Sequence, residues 1–271
     1  MRYVAHVTIK TTAPLKIGSS NIDFIIDMPI LRDWNGLPFI PGTSIAGMLR
    51  ALLNESDAKE IFGYEEEKKN EGQGSKVKFS SALLVDDKDR VHEELLLERS
   101  KFLQLFEELP IREHTAINER GVVKDKSKFD EEVLYKGAKF RFSFECDEKK
   151  HFDTILDLLK SEWAMLGGKN TNGYGAFEIE RIEWEGMDNV RYSEYVPSLN
   201  EPLKEVKDLS KEHQPRYELR LRPDMFFMFG SGLMDEDADH TYVTEPVIDY
   251  EKGALSEEKI LIPASAIRGA L

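Results

Sequence analysis

One sequence segment occurs twice in this chain, and that repeat constrains the fold more than any other feature. The first copy, LPFIPGTSIAGMLRALL, spans residues 37–53, and the second, ILIPASAIRGAL, spans residues 260–271. The match extends upstream, where LKIGSS and DMPILRDWNG in the first copy correspond to FMFGSG and TEPVIDYEKG in the second. Since a fixed order of motifs marks a repeated structural unit, the sequence predicts a duplicated domain.

The second copy ends soon after its motif, which predicts an incomplete unit. We expect a first unit at residues 1–185, a linker at 186–215 and an incomplete second unit at 216–271. Half of such a unit would expose an apolar strand and an unfilled core. We therefore expect the sequence to be the N-terminal part of a longer fused protein, or a piece of one. The alternative is a dimer in which another chain supplies the missing strands.

Composition and charge exclude several classes of protein. The chain is 41% hydrophobic and 32% charged, which is typical of a globular protein. It lacks an apolar run of the ~20 residues that a membrane span needs, so no membrane contact is expected. The single cysteine, Cys146, excludes an intrachain disulfide and favours a cytoplasmic protein. The net charge of −14 argues against avid, non-specific binding to nucleic acid.

The order of the predicted elements indicates an α+β fold. We predict strands at 2–18, 75–87, 138–146 and 176–185, and helices after Pro41 and at 55–63, 91–109 and 151–166. We also expect Thr43 or Ser44 to cap the first helix, and residues 64–74 to form a solvated, mobile loop. Strand–helix–strand–strand–helix–strand is the order of a ferredoxin-like (RRM-like) fold, here with loop insertions and followed by the start of a second unit.

Five motifs in register resemble the RAMP superfamily of CRISPR-associated proteins, whose RNA-binding folds are built on ferredoxin-like units. They are LKIGSS, DMPILRDWNGLPFIPGTSIAGMLRALL, EIFGYEEE with GQGSKVKFSSALLVDD, HTAINERGVV with EEVLYKGAKFRF, and MLGGKNTNGYGAFEI. Within the superfamily they are most similar to the backbone subunits of type III effector complexes. The resemblance implies a role in antiviral defence. It also implies guide RNA, target RNA and other CRISPR effector subunits as partners, and no DNA contact.

The helix that follows Pro41 is a candidate phosphate-binding site. A helix N-terminus presents free backbone N–H groups and the positive end of the helix dipole, which together favour an anion. The resemblance extends this role to hydroxyls, a glycine that permits close approach, and nearby cations. The candidate RNA-binding residues are Thr43, Ser44, Gly47 and Arg50 in the first copy, and Ser265 and Arg268 in the second. The family often has a lysine where Ala46 stands, and Arg50 is expected to compensate. The alternative is a capped helix without a ligand.

The glycine-rich segment GGKNTNGYG, residues 167–175, is a second candidate contact with RNA. Glycine backbones can approach phosphates closely, and an aromatic ring can stack on a base. The candidate RNA-binding residues of this segment are Gly168, Lys169, Gly173 and Tyr174. The alternative is a tight turn between a helix and a strand.

Asp27 is the candidate catalytic residue. The resemblance implies an aspartate on this loop in backbone subunits that cleave RNA, with Mg²⁺ or Mn²⁺ held against the scissile phosphate. Asp23 is the candidate second metal ligand. The second copy has Thr244 in the place of Asp27, with Glu245 beside it. We therefore expect the second unit either not to cleave or to use a shifted acid among residues 235–239. The alternative for Asp27 is a solvated carboxylate.

The segment IREHTAINERG resembles the family's β-hairpin that wedges between paired bases, and implies RNA contacts from Arg112 and Arg120. His114 raises a further hypothesis, a guide-processing endonuclease that uses histidine as a general base.

Three function classes stay open at this stage. They are a backbone subunit that cleaves target RNA, one that binds guide RNA without cleaving, and an acidic protein–protein assembly module without RNA contact.

Overall fold

The computed structural model describes residues 1–18, 26–66, 71–117, 123–207 and 241–264, with Arg222, Asp224, Gly230, Ala266 and Ile267. The strands are β1 (Arg2–Thr11), β2 (Phe39–Ile40), β3 (Tyr64–Glu66), β4 (Glu71–Gln73), β5 (Val77–Phe79), β6 (Ala82–Leu84), β7 (Ile111–Ile117), β8 (Val123–Glu132), β9 (Lys139–Cys146), β10 (Phe177–Met187), β11 (Glu205–Val206), β12 (Thr244–Glu245), β13 (Ile248–Asp249), β14 (Ala254–Leu255) and β15 (Lys259–Ile260). The α-helices are α1 (Gly42–Ala51), α2 (Glu55–Phe62), α3 (Lys101–Gln104), α4 (Lys149–Leu159) and α5 (Asn189–Glu194), and a 3₁₀ turn spans Asn170–Asn172.

The main sheet is antiparallel and is built around β1. Strand β1 lies between β10 and β9, and β9 pairs further with β5 and β6. The order across the sheet is β11–β10–β1–β9–β6–β2. A mixed α/β structure on an antiparallel sheet is therefore confirmed. Among the helices of the described residues, none combines the length and the apolar character that a membrane span requires.

One face of the sheet carries the hydrophobic core. Phe140, Phe142 and Phe144 alternate along β9 and are buried, as their spacing predicts. Phe142 lies opposite Val7 of β1. Helix α4 covers this face through Phe152, whose ring centroid lies 5.2 Å from that of Phe144. The alternation of apolar residues along β9 thus predicted both the strand and its buried face.

The other face of the sheet is covered by part of the segment that we predicted as a linker. Leu203 packs with Val4 and Met187, and His6 Nε2 lies 3.1 Å from the hydroxyl of Tyr195. Glu185, which is almost completely buried, binds this segment too, and its Oε1 lies 2.6 Å from the Nζ of a lysine at position 204. Residues 188–206 therefore pack against the first sheet.

The structure differs from the predictions for residues 91–109 and 64–74, and it shortens two others, since β1 ends at Thr11 and α4 ends at Leu159. A helix was expected over 91–109, but within that range only Lys101–Gln104 is α-helical. Side chains from other elements bind the preceding backbone, since Asn200 accepts from the Val91 N–H at 3.0 Å and Asn35 accepts from the Leu96 N–H at 2.8 Å. The expected loop at 64–74 instead contains the exposed hairpin of β3 and β4, in which Tyr64 pairs with Gln73.

Residues 244–256, from the segment assigned to the second unit, also pack on the first. Ile248 belongs to the same core cluster as the β9 phenylalanines, and its N–H donates to the Lys136 carbonyl at 3.0 Å. The Tyr250 hydroxyl donates to the Val85 carbonyl and accepts from the Lys139 N–H, both at 2.9 Å. The boundaries of the two units stay a prediction.

Candidate functional site

The loop that carries Asp27 is fixed to the end of β8 by backbone hydrogen bonds. Asp27 is exposed, and its Oδ2 accepts from the Asp130 N–H at 3.1 Å. The Met28 N–H donates to the Asp130 carbonyl, and the Glu132 N–H donates to the Met28 carbonyl, both at 3.1 Å. Residues 130–132 therefore form a seat for this loop and leave the Asp27 side chain accessible to solvent.

Side chains strengthen the same seat. The Glu132 carboxylate accepts from the Ile30 N–H at 2.9 Å and from Arg32 Nη2 at 2.6 Å. The buried Lys16 donates through Nζ to the carbonyl of Met28 and, at 3.1 Å, to that of Glu132. Burial lowers the pKa of Lys16, although the carboxylates at 131 and 132 oppose that shift. The Lys16 ammonium and the Glu132 carboxylate thus both hold the loop in place.

The carboxylates near Asp27 fit a divalent cation that a protein holds by few ligands. Asp130 Oδ1 is buried and lacks a hydrogen-bond partner among the described residues, and its own backbone N–H binds Asp27. The described residues hold no group of three or more histidine, cysteine, aspartate or glutamate side chains suited to a metal. Mg²⁺ commonly binds through one or two carboxylates plus water and substrate phosphates, so Asp27 and Asp130 fit that mode. Asp23 lies outside the described residues.

The glycine-rich segment is a tight turn in which two glycines are required by packing. Gly167 and Gly175 have positive φ values of +74° and +86°. A Cβ at Gly167 would lie 2.1 Å from the Lys16 carbonyl oxygen, and one at Gly175 would lie 2.1 Å from that of Leu166. At Gly168 an added Cβ would meet nothing within 4 Å, so this residue remains open to a ligand.

Lys169 and Tyr174 of this segment take part in an internal polar network. Lys169 Nζ lies 2.6 Å from Glu131 Oε2, and the Tyr174 hydroxyl donates to Glu131 Oε1 at 3.1 Å. Arg112 donates through Nη1 to the Tyr174 hydroxyl at 2.7 Å. Through Nη2 it donates to Glu245 Oε2 at 2.9 Å. We call these five residues the Glu131 network.

Burial in this network affects both the pKa of the Tyr174 hydroxyl and the access of a base to its ring. Its side chain is 3% exposed, and burial raises its pKa to about 12. The ring is also covered by Arg112, whose guanidinium carbon lies 5.0 Å from the ring centroid. Tyr174 therefore cannot stack on a base in this structure, contrary to the role that the sequence suggested. Burial likewise raises the pKa of Glu245, against the opposing effect of Arg112.

Helix α1 begins one residue earlier than the predicted caps. Its N-cap is Pro41 and no side chain caps it, so neither Thr43 nor Ser44 has the expected capping role. Thr43, Gly47 and Arg50 are exposed and, at i, i+4 and i+7, share one face of the helix. An added Cβ at Gly47 would meet nothing within 4 Å. This face offers hydroxyl, backbone and cationic groups to solvent.

The structure brings some of the predicted residues together and leaves others apart. Asp27, Arg112, Lys169 and Tyr174 meet around residues 130–131. Helix α1 instead packs against β5, α2 and α4. Sequence reasoning missed residues 130–132, although the acidic run DEE directly before the apolar VLY was a visible signal.

Several predicted residues cannot be placed or have another role. Asp23, Arg120, Ser265 and Arg268 lie outside the described residues. At His114 the structure describes the backbone, which pairs with Phe129. Gly173 has φ +86°, and a Cβ there would lie 2.7 Å from the Cβ of Ala264 in the second copy of the repeat. Gly173 is therefore required for packing.

Comparisons with known proteins match the part of the chain that contains most of these residues. The family model described as the RAMP superfamily matches residues 8–178. A relative named CRISPR system Cms endoribonuclease Csm3, from Methanocaldococcus jannaschii, is 27% identical over an alignment of 223 residues that covers 70% of this chain and 84% of the relative.

Two chains of solved structures are similar to this chain. One is a chain of the Type III-B Cmr-beta cryo-EM structure bound to cognate target RNA, with a TM-score of 0.48, 20% identity and 68% of this chain covered. This chain spans 60% of that one. The other comes from the apo state of Type III-B Cmr-beta, with a TM-score of 0.48 and 18% identity, over 65% of this chain and 96% of the other.

Proposed function

Because this chain belongs to the RAMP superfamily, we propose that it is a backbone subunit of a type III CRISPR effector complex and binds guide RNA. The observation that carries this proposal is the family match over residues 8–178, which contain Asp27, α1 and the glycine-rich segment. The similarity to the relative named Csm3 endoribonuclease, over 84% of that protein's length, supports the same assignment. Its partners are then guide RNA, target RNA and other effector subunits.

The unit is, in this proposal, a ferredoxin-like fold with insertions. Strands β10, β1, β9 and β6 are neighbours in that order, with α1 between β1 and β6 in sequence and α4 between β9 and β10. This order matches the split βαβ arrangement and supports the proposal. Residues 188–206 cover the sheet face that carries His6 and Val4, so RNA would bind outside that face.

The exposed face of α1 is the part of the proposed RNA path that the geometry supports best. The hydroxyl of Thr43 and the guanidinium of Arg50 can donate to phosphates, while Gly47 lets the backbone of RNA approach. The helix N-terminus adds backbone N–H groups without side-chain caps. Gly168 supplies a second open backbone position. A few specific contacts of this kind suit a chain with a net charge of −14.

We further propose that the subunit cleaves target RNA through Asp27, with Asp130 as the second carboxylate. When bound by these residues, Mg²⁺ or Mn²⁺ would supply charge neutralisation at the scissile phosphate and so favour attack by the neighbouring 2′-OH. The chain's own contribution is positional, because Asp130 and Glu132 fix the loop while Asp27 stays exposed to the substrate. The hydrogen-bonded seat of Asp27 supports this role.

Photocrosslinking tests the RNA-binding proposal. The effector complex is purified through a tag on this chain, loaded with a guide RNA that carries photoreactive nucleotides, and irradiated. We expect crosslinked peptides from residues 42–51 and 167–175. A complex in which the guide crosslinks to other subunits and never to this chain would contradict the proposal.

A second candidate, an acidic assembly module without RNA contact, has one observation in its favour. Two of the predicted RNA-binding cations, Arg112 and Lys169, are paired with the buried carboxylates of Glu245 and Glu131. They therefore contribute little positive potential at the surface. The same crosslinking experiment distinguishes the two candidates, since the assembly module predicts protein contacts and no RNA crosslink.

A further inference from the structure

The seat of Asp27 and the Glu131 network share one residue. The backbone of Glu131 forms a bridge with Met28, directly after Asp27. Its neighbours Asp130 and Glu132 make the hydrogen bonds that fix the loop. The side chain of the same Glu131 is bound by Lys169 and Tyr174. The position of the Asp27 loop is thus tied to the position of the Glu131 carboxylate.

The Glu131 carboxylate has few alternative positions available. It is 0% exposed, so its negative charge depends on partners within the protein, and Lys169 and the Tyr174 hydroxyl are two of them. A buried charge that loses a partner is costly, whereas an exposed one is solvated by water. Whatever fixes Tyr174 and Lys169 therefore also fixes Glu131 and the strand on which it lies.

Arg112 links this carboxylate to the second copy of the repeat. Its two terminal nitrogens bind different partners, Nη1 the Tyr174 hydroxyl and Nη2 the Glu245 carboxylate. The fork of a guanidinium holds two partners in a defined relative geometry. Glu245 is 8% exposed, and its position is set by the pairing of β12 with β15 and by the burial of the nearby Ile248.

In the alignment of the two copies, Glu245 occupies the place that Met28 has in the first, next to the residue that corresponds to Asp27. The second copy lacks an aspartate at the corresponding position, which is Thr244. Its acidic side chain instead reaches back to the first unit. We propose that Glu245 is a positioning residue for the Asp27 loop and acts through Arg112, Tyr174 and Glu131. The proposal rests on the proposed cleavage function for its effect on activity, but its structural part stands without it.

Hydrogen–deuterium exchange tests the structural part in the assembled complex. The peptide over residues 26–31 contains the Met28 and Ile30 amides, which are bonded to residues 130 and 132. We expect Glu245→Gln to speed exchange in this peptide by at least about threefold. Weaker hydrogen bonds between the Asp27 loop and residues 130–132 would lower the free energy of local opening. The control is Glu251→Gln, which removes an exposed carboxylate from the same segment and should leave exchange unchanged. Equal exchange in both variants would overturn the proposal.

Two further variants keep the test decisive if Glu245→Gln folds poorly. Glu245→Asp keeps the charge with a shorter side chain, and we expect exchange between the wild-type and Gln values. Arg112→Gln should speed exchange in the 26–31 peptide as much as Glu245→Gln, and the double variant should be no faster than either. Additive effects of the two substitutions would contradict a shared path, because residues that act in series are not additive.

Single-turnover cleavage tests the consequence for activity. With saturating metal and the complex in excess over target RNA, we expect Glu245→Gln to lower the maximal cleavage rate constant about tenfold while the half-saturating concentration of complex stays within about twofold, since a misplacement of about 1 Å can cost about 100-fold in rate. Faster exchange in Glu245→Gln, together with unchanged cleavage by Asp27→Ala, would retain the positioning role of Glu245 and reject Asp27 as the catalytic residue. Unchanged exchange in Glu245→Gln would reject the positioning role whatever the fate of cleavage.

Discussion

Lys169 forms an ion pair with Glu131, in which Nζ lies 2.6 Å from Oε2 of a carboxylate that is completely buried. Lys169 was predicted to contact RNA, but its ammonium group is paired with this buried carboxylate. The pair joins the glycine-rich segment to the end of β8, the strand on which the Asp27 loop is seated. Lys169 therefore stabilises the candidate site through its ion pair with Glu131.

Removing the lysine of this pair should destabilise the fold. Lys169→Met removes the ammonium group that pairs with the buried Glu131 carboxylate, which should lower the free energy of unfolding by about 3 kcal/mol. Chemical denaturation measures this change. The control is Lys88→Met, on an exposed loop, for which we expect less than about 0.5 kcal/mol. A loss below about 1 kcal/mol for Lys169→Met would contradict the importance of the pair.

The glycines of residues 167–175 should separate into structural and exposed classes. Gly175→Ala places a Cβ 2.1 Å from the Leu166 carbonyl oxygen at a φ of +86°, so we expect at least about 3 kcal/mol of destabilisation. Gly168→Ala meets no atom within 4 Å and should change the free energy of unfolding by less than about 1 kcal/mol. Thermal denaturation of the two variants compares them directly. Similar losses in both would show that the turn is not packed as described.

Arg50 should make a phosphate contact that salt weakens. We expect Arg50→Ala to lower guide-RNA affinity and to reduce the slope of log K against log salt by about 0.7, the value for one contact with a single strand. Filter binding of the assembled complex at several salt concentrations measures both. The matched control is Arg90→Ala, another exposed arginine, which should leave the slope unchanged. An unchanged slope in Arg50→Ala would remove α1 from the proposed RNA path.

His6 should make the fold sensitive to acid. Burial, with a further contribution from the nearby Arg141, lowers the pKa of His6 from its usual 6.5 to about 4. The folded state therefore favours the neutral ring, and stability is retained above pH 6.5 and lost as pH falls towards 4. That shift corresponds to about 3 kcal/mol. His6→Gln should lose less stability than wild type between pH 7 and pH 4, measured by denaturation at each pH. Parallel losses would contradict a buried neutral histidine.

Patterns within one segment predicted much of the fold. The alternation of Phe140, Phe142 and Phe144 requires nothing beyond the strand itself, so the strand and its buried face were both predictable. The same is true of α2, which begins at Glu55 after the Asn54 cap and ends before Gly63. Composition misled at 91–109, because Asn35 and Asn200 from other segments bind that backbone and replace helical hydrogen bonds.

The candidate site was less predictable, because its residues come from segments far apart in sequence. The resemblance to the family singled out Asp27, but nothing in the sequence singled out its partner Asp130. Tyr174 is bound by Arg112 and Glu131, which no local pattern connects to it. Local motifs and the resemblance to the family pointed to several residues that meet there, and the structure shows contacts inside the protein for Arg112, Lys169 and Tyr174.

Cleavage of a guide-paired target RNA by the assembled complex, with Mg²⁺ or Mn²⁺ present, tests the central claim most directly. Wild type is compared with Asp27→Ala and with Asp87→Ala, which removes an exposed aspartate from another loop. We predict that Asp27→Ala abolishes one specific cut and retains RNA binding, while Asp87→Ala cuts as wild type does. Unchanged cutting by Asp27→Ala would contradict the claim and make this unit a guide-binding subunit that does not cleave.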